Sequence, residues 1–124
     1  MNVIETKNAP GTIGPYSQGY AFGDLVITSG QIPVDPATGT TPEGISAQAE
    51  QSCKNVGAIL EAAGSGFDKV VKTTCFLADM GDFAVMNEVY ASQFEGAFPA
   101  RSAVAVKTLP KNGLVEIEVI AVKE

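Results

Sequence analysis

The chain contains one arginine, Arg101, against seven lysines. It stands in Phe98–Ser102 (FPARS), where Pro99 holds the approach extended. A guanidinium is the side chain best shaped to grip a carboxylate through two parallel hydrogen bonds. Arg101 is therefore either an anion clamp or one half of a surface or interface ion pair, with Glu118 as a partner. Glu118 lies in an otherwise apolar run, Val115–Val122 (VEIEVIAV). Partial desolvation there raises a carboxylate's pKa and suits it to orient or deprotonate water; the alternative is a solvent-facing residue on an open sheet side. Tyr16 sits between glycines in GPYSQG (14–19), offering a phenol as acid or anchor, or a turn aromatic packed on its neighbour. Ser29-Gly30-Gln31 at a strand end forms either a backbone cradle or a plain strand exit. Asn87, one step round a helix from Met86 and Tyr90, either reaches a ligand or is an ordinary exposed position.

Composition narrows the chemistry. The 124 residues carry no His, which removes the usual neutral-pH base and the commonest metal ligand. No Ser-His-Asp or Cys-His arrangement can be built, and two Cys cannot make a Cys₄ zinc site. The net charge of −6 and the lack of a Lys/Arg run argue against nucleic-acid binding. Cys53 and Cys75 are too far apart for a C-x-x-C motif, and each lies in an apolar-periodic segment, so both are expected to be reduced and buried. The first residues, MNVIETKNAPG, lack the apolar stretch of a signal peptide, and no run approaches a membrane span. The expectation is one cytoplasmic, soluble domain over residues 1–124 with no membrane partner.

The elements that must position these residues are clearly punctuated. Residues 2–6 are a short strand, followed by a Gly/Pro loop over 8–19. Tyr20–Phe22 and Leu25–Ser29 flank Gly23-Asp24 as a hairpin. After a second loop (30–44), Ile45, Ala49, Cys53, Val56, Ile59, Leu60 and Ala63 recur at helical spacing over 45–63, with Gly64 as the stop. Val70–Ala78 is the strongest strand. Asp82 caps a helix through Phe94, then strands follow at Arg101–Lys107 and Val115–Val122. The order predicts an α+β fold, a five- or six-stranded sheet with two helices on one face. If the purely apolar strand faces meet the helices, Arg101 and Glu118 both project from the far face. That face mixes apolar and charged residues, which suggests a subunit interface lined with polar clefts.

Six blocks in order then resemble the RidA family (reactive intermediate deaminase A, YjgF-type): Ile13–Gly19 (IGPYSQG), Ile27–Pro33 (ITSGQIP), Val71–Phe76 (VKTTCF), Asp82–Tyr90 (DFAVMNEVY), Phe98–Ser102 (FPARS) and Val115–Ala121 (VEIEVIA). The resemblance spans nearly the whole chain. It implies a mixed sheet in a chorismate-mutase-like trimeric barrel, a homotrimer with clefts between subunits. It also implies hydrolysis of 2-imino or enamino acids, such as 2-iminobutyrate and 2-iminopropanoate, to 2-oxo acids and ammonia, with no metal and no cofactor. By the same resemblance Arg101 holds the substrate carboxylate, assisted by the backbone N–H of Ala103. Glu118 positions water, Tyr16 closes the pocket, Ser29 and Gly30 line it, and Asn87 lies near the cleft mouth from the neighbouring subunit. Many members carry Cys where this chain has Ala103, which puts substrate preference in doubt; Cys75, on another strand, does not replace it. A non-enzymatic small-acid binding or regulatory trimer is the alternative, and an RNA-directed role a third, disfavoured by charge.

Overall fold

Alternation in the last strand decides where the core lies. Val115, Ile117, Val119 and Ala121 of β6 (Val115–Val122) are buried, while Glu116, Glu118, Ile120 and Val122 point away. The computed structural model describes residues 1–123. In it β6 is an inner strand of a six-stranded sheet formed with β1 (Asn2–Ile4), β2 (Gly19–Phe22), β3 (Leu25–Thr28), β4 (Val70–Leu77) and β5 (Ala100–Ala105), in the order β1-β2-β3-β6-β4-β5. The β4–β5 pair is parallel and the rest antiparallel. A parallel return needs a crossover, and α2 (Phe83–Ala91) supplies it. With α1 (Ile45–Ala62) it packs on the apolar side of the sheet.

The α1 stripe is as the spacing predicts. Ala49, Cys53, Val56, Ile59 and Leu60 are buried, with α1 packed on β6 and β3. Gly64, at φ 79°, adopts the left-handed conformation that stops the helix. Its N–H donates to Glu61 O (3.0 Å), and Ser65 N–H donates to Leu60 O (2.8 Å), satisfying the last carbonyls.

Strand β5 runs Ala100–Ala105, not to Lys107, and β3, β4 and α1 each end one residue earlier than the sequence suggests. Three further departures, in the first strand and around the second helix, have a local reason. The first strand ends at Ile4, because Thr6 N–H donates to Gln18 Oε1 (2.7 Å) instead of continuing a ladder. The second helix starts at Phe83, as a cap at Asp82 predicts, but the Asp82 side chain makes no capping bond; Asp79 instead accepts from Gly81 N–H (2.8 Å) in a preceding 3₁₀ turn. That helix ends at Ala91, where Ser92 Oγ bonds back to Val89 O (2.6 Å).

Buried amides pin the long loops to this frame. Gln18, 3% exposed, donates from Nε2 to Thr6 O, Ala9 O and Pro10 O. Asn55 donates to Ile32 O and Val34 O, and Gln48 donates to Pro42 O while accepting from Leu114 N–H. Each bond satisfies a backbone group that burial would otherwise leave costly. The loops bearing Tyr16 and Gly30 are thus tied to the sheet and α1.

Candidate active site

Strand register places the candidate residues in two groups. Thr73 pairs with Val119 on one side and Arg101 on the other, and the next row is Glu118–Thr74–Ser102. Side chains of adjacent rows point to opposite faces. Thr73 and Val119 are buried beneath the helices, so Arg101 and Ala103 face the helices too, whereas Glu118 faces away. This corrects the expectation that Arg101 and Glu118 share the far face. It also removes an ion pair between them within one chain. The physical reason is that β5 is an edge strand, so its helix side lies at the rim of the core. A long charged side chain can lie there with its head in water, while Val104, 46% exposed, points outward instead.

On the helix side, the Arg101 guanidinium lies over the Tyr90 ring (4.7 Å to the centroid) and near that of Phe83 (5.4 Å). Its Nη1 donates to Asn87 Oδ1 at 2.7 Å. Asn87 therefore serves the Arg101 of its own chain, which corrects its expected placement on the opposite side of a subunit cleft. Together with Tyr90, Phe98 and Pro99 they line a pocket of ≈ 340 Å³. Val106 N–H donates to Leu77 O (2.8 Å) on the β4 side. Backbone donors alternate along a strand, so the Ala103 N–H points off the free edge.

Cys75 is on another strand, as expected, but directly beside Ala103 in register and on the same face. Burial pushes its thiol up to about 11, with Arg101 and Thr73 pulling the other way. Burial pushes Cys53 up to about 12. Both cysteines are free. A thiol whose native pKa exceeds its unfolded value of 9.0 favours the fold only while protonated. Stability should therefore fall as pH rises from about 9 towards 12, because the unfolded chain ionises first. Urea melts across that range check this: the Cys53→Ala/Cys75→Ala variant should show a shallower decline, and an equal decline would show that other groups carry it.

The second group lies around the end of β3. Ile27 pairs with Ile120, yet Gln31, not Gly30, bridges Ile117, so the segment holds one residue more than β6 does. This is a β-bulge at Thr28–Gly30, which turns Ser29 and Gly30 out of the ladder. Ser29 N–H donates to Gln18 O and its Oγ to Ser17 O. The adjoining groove, ≈ 630 Å³, is lined in part by Tyr16, Ser29, Gly30 and Glu116. Tyr16 is 51% exposed on its loop.

Glu116 is the residue that sequence reasoning passed over. It shares the Glu118 face one alternation away, which was the available signal. Its carboxyl occupies the space where Gly30 lacks a side chain; a Cβ there would run into Oε2 and lie 2.8 Å from Cδ. Burial, then the neighbouring Glu118 charge, raises its pKa. Gly30→Ala should fold with nearly unchanged stability, because a flexible carboxylate can swing aside. The same swing should cost at least about tenfold in turnover if that carboxyl belongs to the site. Wild-type turnover in this variant would exclude the Gly30–Glu116 contact from function. Tyr90 and Phe83 were likewise missed as neighbours of Arg101, since helical spacing marks them only as apolar-face residues; Phe98 entered only as the first residue of the FPARS block.

Among the described residues no group of three His, Cys, Asp or Glu side chains is placed to hold a metal, and no helix is long and apolar enough to cross a membrane.

The six-stranded mixed sheet with two helices on one side is shared with solved structures of small bacterial proteins. The Escherichia coli YjgF gene product superposes with a TM-score of 0.97 at 51% identity, covering 100% of both chains. E. coli TdcF, solved with bound serine, does so with a TM-score of 0.97 at 48% identity, also covering 100% of both. A curated relative in Salmonella typhimurium, 2-iminobutanoate/2-iminopropanoate deaminase, is 55% identical over 123 residues, covering 97% of this chain and 96% of its own. The family model described as Endoribonuclease L-PSP matches residues 6–123. The chain belongs to this family, the RidA (YjgF-type) proteins that its sequence blocks resemble.

Proposed function

We propose that this protein hydrolyses reactive 2-imino and enamino acids, such as 2-iminobutyrate and 2-iminopropanoate, to 2-oxo acids and ammonia without a cofactor. The observation that carries the reading is Arg101, held over two aromatic rings with a neutral amide as its acceptor and its charge free for an anion. The activity named for the Salmonella relative supports it. Arg101 would bind the carboxylate by two parallel hydrogen bonds, and the Ala103 N–H would add a third. Asn87 fixes the guanidinium plane.

A protonated imine is already an electrophile, so positioned water suffices and a chain without His can do the chemistry. Glu118 accepts a proton as the water oxygen bonds to the imine carbon, and the C=N electron pair moves to nitrogen. Glu118 returns its proton to the nitrogen and then takes the hydroxyl proton as the carbinolamine collapses, forming the C=O bond, breaking the C–N bond and releasing ammonia. Tyr16, Ser29 and Gly30 line the water side of this site.

Arg101 and Glu118 lie on opposite faces and two strands apart, so one small substrate cannot touch both in a single chain. We assign the complete site to a cleft between copies of a homotrimer, a closed ring of one repeated contact. The outward sheet face suits such burial, with Val3, Phe22, Ile27, Val104 and Ile120 each exposed by a third or more.

The test is a set of freshly generated imino acids, scored for faster loss with protein than without. Glu118→Gln should lower kcat by about 10²–10³-fold with KM changed far less. Equal loss in both would make Glu118 a structural residue. A second reading is a small-acid binding or regulatory trimer, favoured by the relative solved with serine and by Ala103 in place of a thiol. Saturable binding of a 2-oxo acid with no acceleration of imine loss would select it. The endoribonuclease label of the family fits poorly with a charge of −6 and no His; any nuclease signal should vanish on further purification.

A further inference from the structure

Arg101 is connected to its own supporting ring through the sheet. Thr73 is its register partner on β4. The Thr73 Oγ1 lies 2.7 Å from Tyr90 Oη, in a hydrogen bond buried at both ends: Thr73 is 1% exposed and Tyr90 6%. The face of that same ring carries the guanidinium at 4.7 Å. The chain of contacts closes on itself, from Arg101 across the ladder to Thr73, through the hydroxyl pair to Tyr90, and from the ring back to Arg101. Phe94 packs at 4.9 Å from Tyr90 and is held in turn by Phe67 at 5.5 Å, so the ring is also braced by an aromatic cluster. Core packing alone needs no hydroxyl here, since Phe would fill the same volume. A buried Tyr–Thr pair on the ring beneath the site's one guanidinium needs another account.

We propose that Thr73 and Tyr90 form a positioning pair that sets the height and tilt of the Arg101 guanidinium for carboxylate binding. The inference rests on the proposed role of Arg101 and deepens it. The hydrogen bond fixes how far the ring stands from the strand. The ring face then sets where the guanidinium lies, and Asn87 Oδ1 fixes its rotation in plane. Neither Thr73 nor Tyr90 need touch substrate. Burial raises the phenol's pKa, so the pair stays neutral and leaves the Arg101 charge intact. Preorganisation of this kind acts on binding of the anionic group, and hence on KM more than on the chemical step.

Thr73→Val keeps the β-branched shape and removes the hydroxyl. It should raise KM for 2-iminobutyrate about five- to tenfold with kcat within about twofold of wild type, and weaken 2-oxobutyrate binding in the same ratio. Thr73→Ser restores the hydroxyl and should bring KM back. Tyr90→Phe/Thr73→Val, which leaves no orphaned partner, should be no worse than Thr73→Val. Weak binding of 2-oxobutanamide, which lacks the carboxylate, should be the same in all variants. A lowered melting temperature with unchanged KM, or failure of Thr73→Ser to rescue, would overturn the positioning role. Arg101→Ala separates the two levels: if it leaves 2-oxobutyrate binding unchanged, the carboxylate clamp itself fails. If it weakens binding while Thr73→Val does not, only the positioning pair fails.

Discussion

Arg101→Ala is expected to abolish 2-imino acid hydrolysis while the fold persists. Two charge-assisted hydrogen bonds to a carboxylate, each worth about 1.5–3 kcal/mol, place the loss in kcat/KM at about 10²–10⁴-fold. Few other groups can take over. This is the chain's one arginine, and the acidic protein offers no general attraction to an anionic substrate. Stability should change little, since Arg101 is half-buried on an edge strand and its ring contacts are worth about 0.5–1 kcal/mol each. Arg101→Lys keeps the charge but loses the planar fork, so it should recover only part of the activity. Steady-state rates with freshly formed 2-iminobutyrate, set beside thermal melts, check both halves. A kcat/KM within twofold of wild type in the alanine variant would refute the clamp.

The second large effect comes from mixing. Arg101→Ala and Glu118→Gln chains should each be nearly inactive alone. Dissociated together and reassembled at equal concentration, they should regain activity. Each proposed site takes its arginine from one copy and its glutamate from the next. Half the chains carry each intact residue, so chance assembly yields about a quarter of the wild-type sites. The reason for expecting this is the register: Arg101 shares a row with Thr73 and Val119, Glu118 shares the next with Thr74 and Ser102, and successive rows face oppositely. If each site were built within one chain, mixing would restore nothing, because every chain would still carry one lesion.

Some of this architecture is plain in the sequence. Alternation over 115–122 identifies β6 and its buried face, because a strand with one apolar row has only one way to sit on a core. The seven-residue stripe in α1 and Gly64 after it define a helix and its stop. The facing of β5 is different. Its two rows, Arg101-Ala103-Ala105 and Ser102-Val104, give weak and opposed cues, and the apolar valines suggest the wrong side. An edge strand at the rim of the core can turn either row inward, and here pairing to β4 settles it. Thr73 and Tyr90 are equally hidden: a threonine in a strand and a tyrosine on a helix's apolar face look like packing until their hydroxyls meet.

The sequence by itself determined the mixed α+β class, the family resemblance, and the reaction types that a chain without His cannot run. It also singled out Arg101 and Glu118, because residue type and local period are local properties. Tertiary structure alone decided which residues share a face and which side chains hold Arg101 in place. It opened the space at Gly30 that Glu116 fills and set the two charged groups on opposite sides of the sheet. Those facts depend on register between strands distant in the chain, and register follows from the packing of the whole core.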